Sequence, residues 1–110
     1  MSHRYCLTLD LVDDQDLIAG YEKYHESVWP EILKSITDSG ITHMAIYRFD
    51  VRLFMIMDTD DSFSFERKAA MDATNAKVQE WETLMWKYQQ PVKNALKGEK
   101  WVLMNKIFTL

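Results

Sequence analysis

The chain has 110 residues, 47% of them hydrophobic, with a formal net charge of −4 and one cysteine, Cys6. This is the size of a single domain spanning 1–110, too short for two separate cores, yet apolar enough for one core without metals or disulfides. Interspersed acidic and basic residues exclude a broad nucleic-acid-binding face, and no apolar run approaches the roughly 18 residues needed to span a bilayer.

A lone cysteine forms no intramolecular disulfide, so nothing points to an oxidising compartment. The start, Met1-Ser2-His3-Arg4, lacks the basic-then-apolar pattern of a signal peptide. A soluble, cytoplasmic protein is expected, with neither a membrane nor a nucleic acid as partner. The scattered Lys87, Lys93, Lys97 and Lys100 read as solvated surface.

From residue 4 to 11 the chain alternates, with Tyr5, Leu7, Leu9 and Leu11 on one side, which predicts a strand with one face on a core. Asp13-Asp14 offers an N-cap for a helix over about 14–27. Leu17, Ile18, Tyr21, Tyr24, His25 and Val28 fall on its 3/4 spacings, and Gly20 weakens it by about 1 kcal/mol relative to Ala. Pro30 suits the first turn of a second, short helix, with Ile32, Leu33 and Ile36 as its apolar side and Gly40 as its C′ residue.

Two strands follow, 41–50 and 51–58, joined as a hairpin near Phe49-Asp50-Val51. The first sets Ile41, His43, Ala45, Tyr47 and Phe49 against Thr42, Met44, Ile46 and Arg48; both faces of both strands are fairly apolar, as in a sheet covered on two sides. Asp60-Asp61-Ser62 suggests another helix start, with Phe63, Phe65 and Met71 on that helix. Asn75 restarts it, and Val78, Trp81, Leu84, Met85 and Tyr88 form an i, i+3, i+4, i+7 stripe on a helix that Pro91 bends or ends. Gly98 precedes a last strand, 101–109. The order β-α-(short α)-β-β-α-β is the α+β, ferredoxin-like split βαβ pattern: a four-stranded antiparallel sheet with helices on one face. Its second apolar face then calls for another subunit's sheet, giving a homodimer in the manner of a dimeric α/β barrel.

No cysteine pair, His-x-x-x-His, Gly-rich phosphate loop or G-x-S-x-G occurs, so no metal site is expected. What stands out is the run Tyr21-Glu22-Lys23-Tyr24-His25-Glu26-Ser27-Val28-Trp29-Pro30-Glu31. Tyr21 and His25, four apart, share a helix face, and Trp29 lies one turn on. An imidazole exchanges protons near neutral pH, and Trp and Tyr rings suit the C–H faces of a sugar while their polar atoms reach its hydroxyls. Each residue also has a structural reading. His25 can cap or pack a helix end, Tyr21 and Tyr24 can be core or interface aromatics, Trp29 can staple the turn, His43 can be structural, and the Trp81 stripe can be core. Asp13-Asp14 and Asp60-Asp61 read as helix starts rather than glycosidase carboxylates.

The pattern His25-x-x-Val28-Trp29-Pro30-Glu31, then Gly40, Met44-Ala45-Ile46-Tyr47, Val78-Gln79-x-Trp81, Met85-Trp86-Lys87-Tyr88-Gln89-Gln90-Pro91 and the final stretch Trp101 to Phe108 resembles the L-rhamnose/L-fucose mutarotase family over essentially the whole chain. The resemblance implies a dimeric α/β barrel that interconverts the α and β anomers of a 6-deoxy-L-hexose without a cofactor. It maps the proton-transfer histidine onto His25, an aromatic onto Tyr21 and the later-helix tryptophan onto Trp81. Met44 stands where rhamnose members carry Tyr, and Glu82 follows Trp81 where some members have a second Trp, so rhamnose and fucose both stay open. In this reading Trp81, with Trp29 or Trp86, walls the sugar's C–H face, and the C6 methyl rests against Met44 or Met55. General acid–base catalysis alone supplies about 10²–10⁴-fold, enough for ring opening with no covalent intermediate. The alternatives are an oxygenase or haem-degrading enzyme of the same architecture, and a non-catalytic ligand-binding domain.

Overall fold

The computed structural model describes residues 2–110. Strand β1, His3–Leu11, buries Leu7, Leu9 and Leu11 on one side, as the alternation predicts. Asp14 then caps helix α1, Gln15–Glu26: its carboxylate accepts from the Asp16 and Leu17 amides at 2.9 and 3.1 Å. Gly20 within α1 has a packing reason, since a Cβ there would sit 3.2 Å from the Tyr88 ring. Helix α2, Pro30–Asp38, begins on its proline and ends before Gly40, whose φ of 101° favours glycine.

Strands β2, Ile41–Phe49, and β3, Arg52–Thr59, form the expected hairpin, and Asp50 takes the left-handed conformation in its tight turn. The two-face assignment of β2 needs correction. A bulge between Ile41 and His43 shifts the register, so Ile41, Met44 and Ile46 all pack against the helix-side core.

The helix expected at Asp60-Asp61-Ser62 starts later. Asp60 Oδ1 instead accepts from Ser62 N and Oγ at 2.9 and 2.6 Å, a local turn that leaves Phe63 outside the helix. Helix α3, Phe65–Ala73, is capped by Ser64, and α4, Ala76–Trp86, by Asn75 as anticipated.

The last strand is also corrected. The place beside β1 is filled by two short pieces, β4 (Gln89–Gln90) against Asp10 and Leu11, and β5 (Val102–Leu103) against Leu7 and Thr8. After Met104 N bonds the Cys6 carbonyl at 2.8 Å, residues 105–110 leave the sheet. Ile107 and Phe108 are 95% and 75% exposed, so within one chain their apolar pattern has no core to serve.

The sheet order β2-β3-β1-β4, all antiparallel, matches the split βαβ arrangement, with two helices in each crossover. The core lies between helices and sheet, centred on Leu11, Tyr21, Leu53, Trp81 and Met85, with a second cluster of Leu7, Ile41, Met55 and Met57. The opposite sheet face carries Cys6, Ala45 and Ile56 in one register row and Thr8, Phe54 and Tyr47 in the next. Tyr47 and Phe49 are exposed there. Among the described residues no helix is long and apolar enough to cross a membrane.

Candidate functional site

Between the helices and the inner sheet face lies a cavity of about 1030 Å³. Helix α1 contributes Tyr21 and His25, brought to one wall by their i, i+4 spacing. The two rings stack, with centroids 4.4 Å apart and planes at 29°. His25 Nδ1 lies 2.8 Å from the Tyr21 carbonyl oxygen. A carbonyl only accepts, so Nδ1 carries the proton and the neutral ring keeps its lone pair on Nε2.

Trp81 enters from α4, where its place in the apolar stripe turns it inward. It meets His25 edge-on at 5.7 Å, Trp29 at 5.0 Å and Tyr24 at 6.2 Å. It therefore serves core and cavity together, being 7% exposed and part of the lining. The sheet supplies an apolar floor of Met44, Met55 and Met57.

The Tyr21 hydroxyl sits deep in the site and accepts from Gln89 Nε2 at 3.3 Å. Burial pushes its pKa up and the Glu82 charge adds to the rise, against a smaller lowering by Gln89. The phenol is thus held neutral, with its proton in place. Gln89 reaches this position because β4 sets it opposite Leu11, an inward-facing residue of β1. Its Oε1 is buried and finds no hydrogen-bond partner among the described residues.

Farther along the wall Lys100 bonds Glu82 twice, at 2.7 Å to the carboxylate and 3.0 Å to the carbonyl. The Lys100 ammonium lies 4.7 Å from the centre of the Trp86 ring.

Of the residues singled out in the sequence, Tyr21, His25, Met44 and Trp81 come together around this cavity, and Met55 joins the floor. Trp29 does not line it but braces Trp81 from behind. Trp86 is not in the wall either; its partly exposed ring packs under Lys100. His43 is exposed and borders the same cavity. Gln89, Glu82 and Trp101 also border it and received no role from the sequence, and Lys100, expected on the solvated surface, is held against Glu82 with its side chain only 13% exposed. The sequence pattern carries the helix on to Pro91, but α4 ends at Trp86, and only the pairing of Gln89 with Leu11 in β1 brings it into the wall.

The wall thus carries the His25 imidazole, the Tyr21 phenol, further aromatic rings and an apolar floor. Known proteins agree in family and in fold. Residues 4–110 match the model of the L-rhamnose mutarotase family. The chain is 41% identical over 109 residues to an L-fucose mutarotase of Xanthomonas campestris pv. campestris, an alignment covering 97% of this chain and 87% of that one. Its fold is shared with an L-rhamnose mutarotase from Formosa agariphila, with a TM-score of 0.69, 19% identity and coverage of 98% of each chain. Tetracenomycin F2 cyclase from Streptomyces glaucescens, a type-II polyketide cyclase, is similar at a TM-score of 0.59 and 14% identity, over 98% of this chain and 96% of that one. The same fold therefore hosts unrelated chemistry, and the sequence match is what decides. The chain belongs to the L-rhamnose mutarotase family.

Proposed function

We propose that this protein is a sugar isomerase interconverting the α and β anomers of a 6-deoxy-L-hexose, L-rhamnose or L-fucose, by acid–base ring opening that needs no cofactor. The family and the Xanthomonas relative supply the substrate class. The observation that carries the mechanism is the His25–Tyr21 pair: one nitrogen with a fixed free lone pair beside one phenol held neutral.

In the forward step His25 Nε2 takes the proton of the anomeric hydroxyl as the C1–O5 bond breaks, and Tyr21 gives its hydroxyl proton to the ring oxygen. The products are an open-chain aldehyde, an imidazolium and a phenolate. Rotation about C1–C2 presents the other face of the carbonyl to O5. Reclosure returns the O5 proton to Tyr21 and the imidazolium proton to O1, so no net change is left on the protein. A buried phenolate is unfavourable, so the two transfers are coupled and the charged state is brief. Trp81 stacks on the sugar's C–H face, and Met44, Met55 and Met57 receive the C6 methyl.

The working unit in this reading is a homodimer joined through the open sheet face, whose apolar rows include Ala45, Ile56, Phe54 and Tyr47.

Saturation-transfer NMR on purified protein tests the activity. Anomeric exchange of L-rhamnose or L-fucose should accelerate, and L-mannose and L-galactose, which carry a hydroxyl on C6, should respond less. No acceleration with any of the four would end the proposal.

A further inference from the structure

We propose that Gln89 is a sugar-binding residue of this site: its amide turns the Tyr21 hydroxyl proton toward the substrate and gives one ring hydroxyl of the pyranose an acceptor. The proposal rests on the mutarotase reading above and goes beyond it in naming a residue to which the sequence assigned no role.

Packing does not explain a glutamine here. Gln89 is 6% exposed, opposite Leu11 and in the cavity wall. Leucine or methionine would fill nearly the same volume and bury no polar group. Gln89 instead buries a primary amide, of which Nε2 meets Tyr21 at 3.3 Å and Oε1 meets nothing among the described residues. A buried polar atom left without a partner is unfavourable and uncommon, and in a ligand cavity the natural missing partner is a ligand group.

The donor pattern fits a pyranose. A phenol oxygen carries one proton and two lone pairs. With Nε2 donating into a lone pair, the Tyr21 proton is left for an acceptor, and the ring oxygen of a sugar is an acceptor only. Oε1 accepts and cannot donate, so it suits a hydroxyl on C2, C3 or C4. One amide thus sets an acid and an acceptor in the same wall, one for the ring oxygen and one for a hydroxyl elsewhere on the same pyranose. Turning the amide over would engage the Tyr21 proton on Oε1 and disable the acid. A carboxylate at this position would do the same.

The test compares wild type with Gln89→Leu and Gln89→Glu, measuring saturation-transfer exchange of L-rhamnose, L-fucose and their 2-, 3- and 4-deoxy derivatives beside thermal melts. Gln89→Leu should melt near the wild-type temperature, because removal of the partnerless Oε1 offsets the lost bond to the Tyr21 hydroxyl, while kcat/KM falls about tenfold, mostly through KM. One deoxy sugar should be a poorer substrate for wild type by a similar factor and no longer distinguish wild type from Gln89→Leu. Gln89→Glu should lose kcat rather than KM. Should Gln89→Leu fail to fold, the unbranched Gln89→Met takes its place in every comparison.

Unchanged kinetics in Gln89→Leu, or an equal loss on every sugar including all three deoxy forms, would overturn the assignment and leave the mutarotase reading standing. No exchange by wild type would remove both.

Discussion

Replacing His25 by Asn separates catalysis from stability, because the structure assigns the side chain little stabilising work. Its contacts are the hydrogen bond to the Tyr21 carbonyl, the stack on the Tyr21 ring and an edge contact with Trp81. The hydrogen bond contributes about 0.5–1.5 kcal/mol and an aromatic pair a further ~0.5–1.5 kcal/mol. The side chain is only partly buried, which holds the total near the lower end. The variant should therefore fold, with a melting temperature lower by roughly 4–8 °C per kcal/mol lost in a domain of this size. Its anomeric exchange should fall by about 10²-fold or more, the contribution of a positioned general base. Exchange measured by saturation transfer, with circular dichroism on the same sample, gives both numbers. A rate that falls only in proportion to the unfolded fraction, or that stays near wild type in a folded variant, refutes the assignment and moves the base to His43, the other histidine bordering the cavity.

Three further outcomes are expected. Tyr21→Phe should keep the fold and slow exchange strongly. It should also remove an alkaline loss of stability: the folded-state pKa of Tyr21 is raised, so its contribution is full below the ordinary phenol value of about 10 and is lost as pH rises through the raised value. Melts from pH 8 to 11 check this, and an identical alkaline decline in Tyr21→Phe would contradict it. Trp81→Ala should cost about 3–5 kcal/mol, since the ring is 7% exposed and touches three aromatic neighbours. Trp81→Phe should stay folded and raise KM, and unchanged saturation would place the sugar elsewhere. Tyr47→Asp with Phe49→Asp, on the open sheet face, should convert a dimer into a monomer by light scattering; a wild-type monomer at low micromolar concentration would contradict the assembly.

The sequence disclosed what short-range chemistry determines. Asp14, Pro30, Gly40 and Asn75 mark helix ends through local caps and backbone conformation, and each stands at the boundary expected of it. The inward faces of β1 and of α4 follow from period 2 and period 3.6. What failed was nonlocal. The β2 bulge depends on how β2 meets β3, and no residue within β2 announces it. The 101–109 stretch alternates like a strand, but pairing requires an edge to pair with, and β1 gives only Leu7, Thr8 and one bond from Cys6.

The site divides in the same way, and the division has a physical cause. His25 and Tyr21 are one helical turn apart, so spacing alone predicts that their side chains meet, and even the tautomer of His25 follows from a bond to a carbonyl four residues back. Gln89 lies 68 residues from Tyr21, and their contact exists only because β4 pairs with the end of β1 while α1 packs over the same point. A local pair is a robust way to hold the two groups proposed to move protons, because its geometry is fixed by the helix. The polar group that orients the phenol has to come from outside that helix, since the i±4 neighbour on the same face is His25 itself. In the proposed reading, tuning of the acid therefore falls to the segment after α4, which the sequence pattern runs together with the helix as far as Pro91. There, rather than in the His25–Tyr21 pair, differences in sugar preference between relatives should arise.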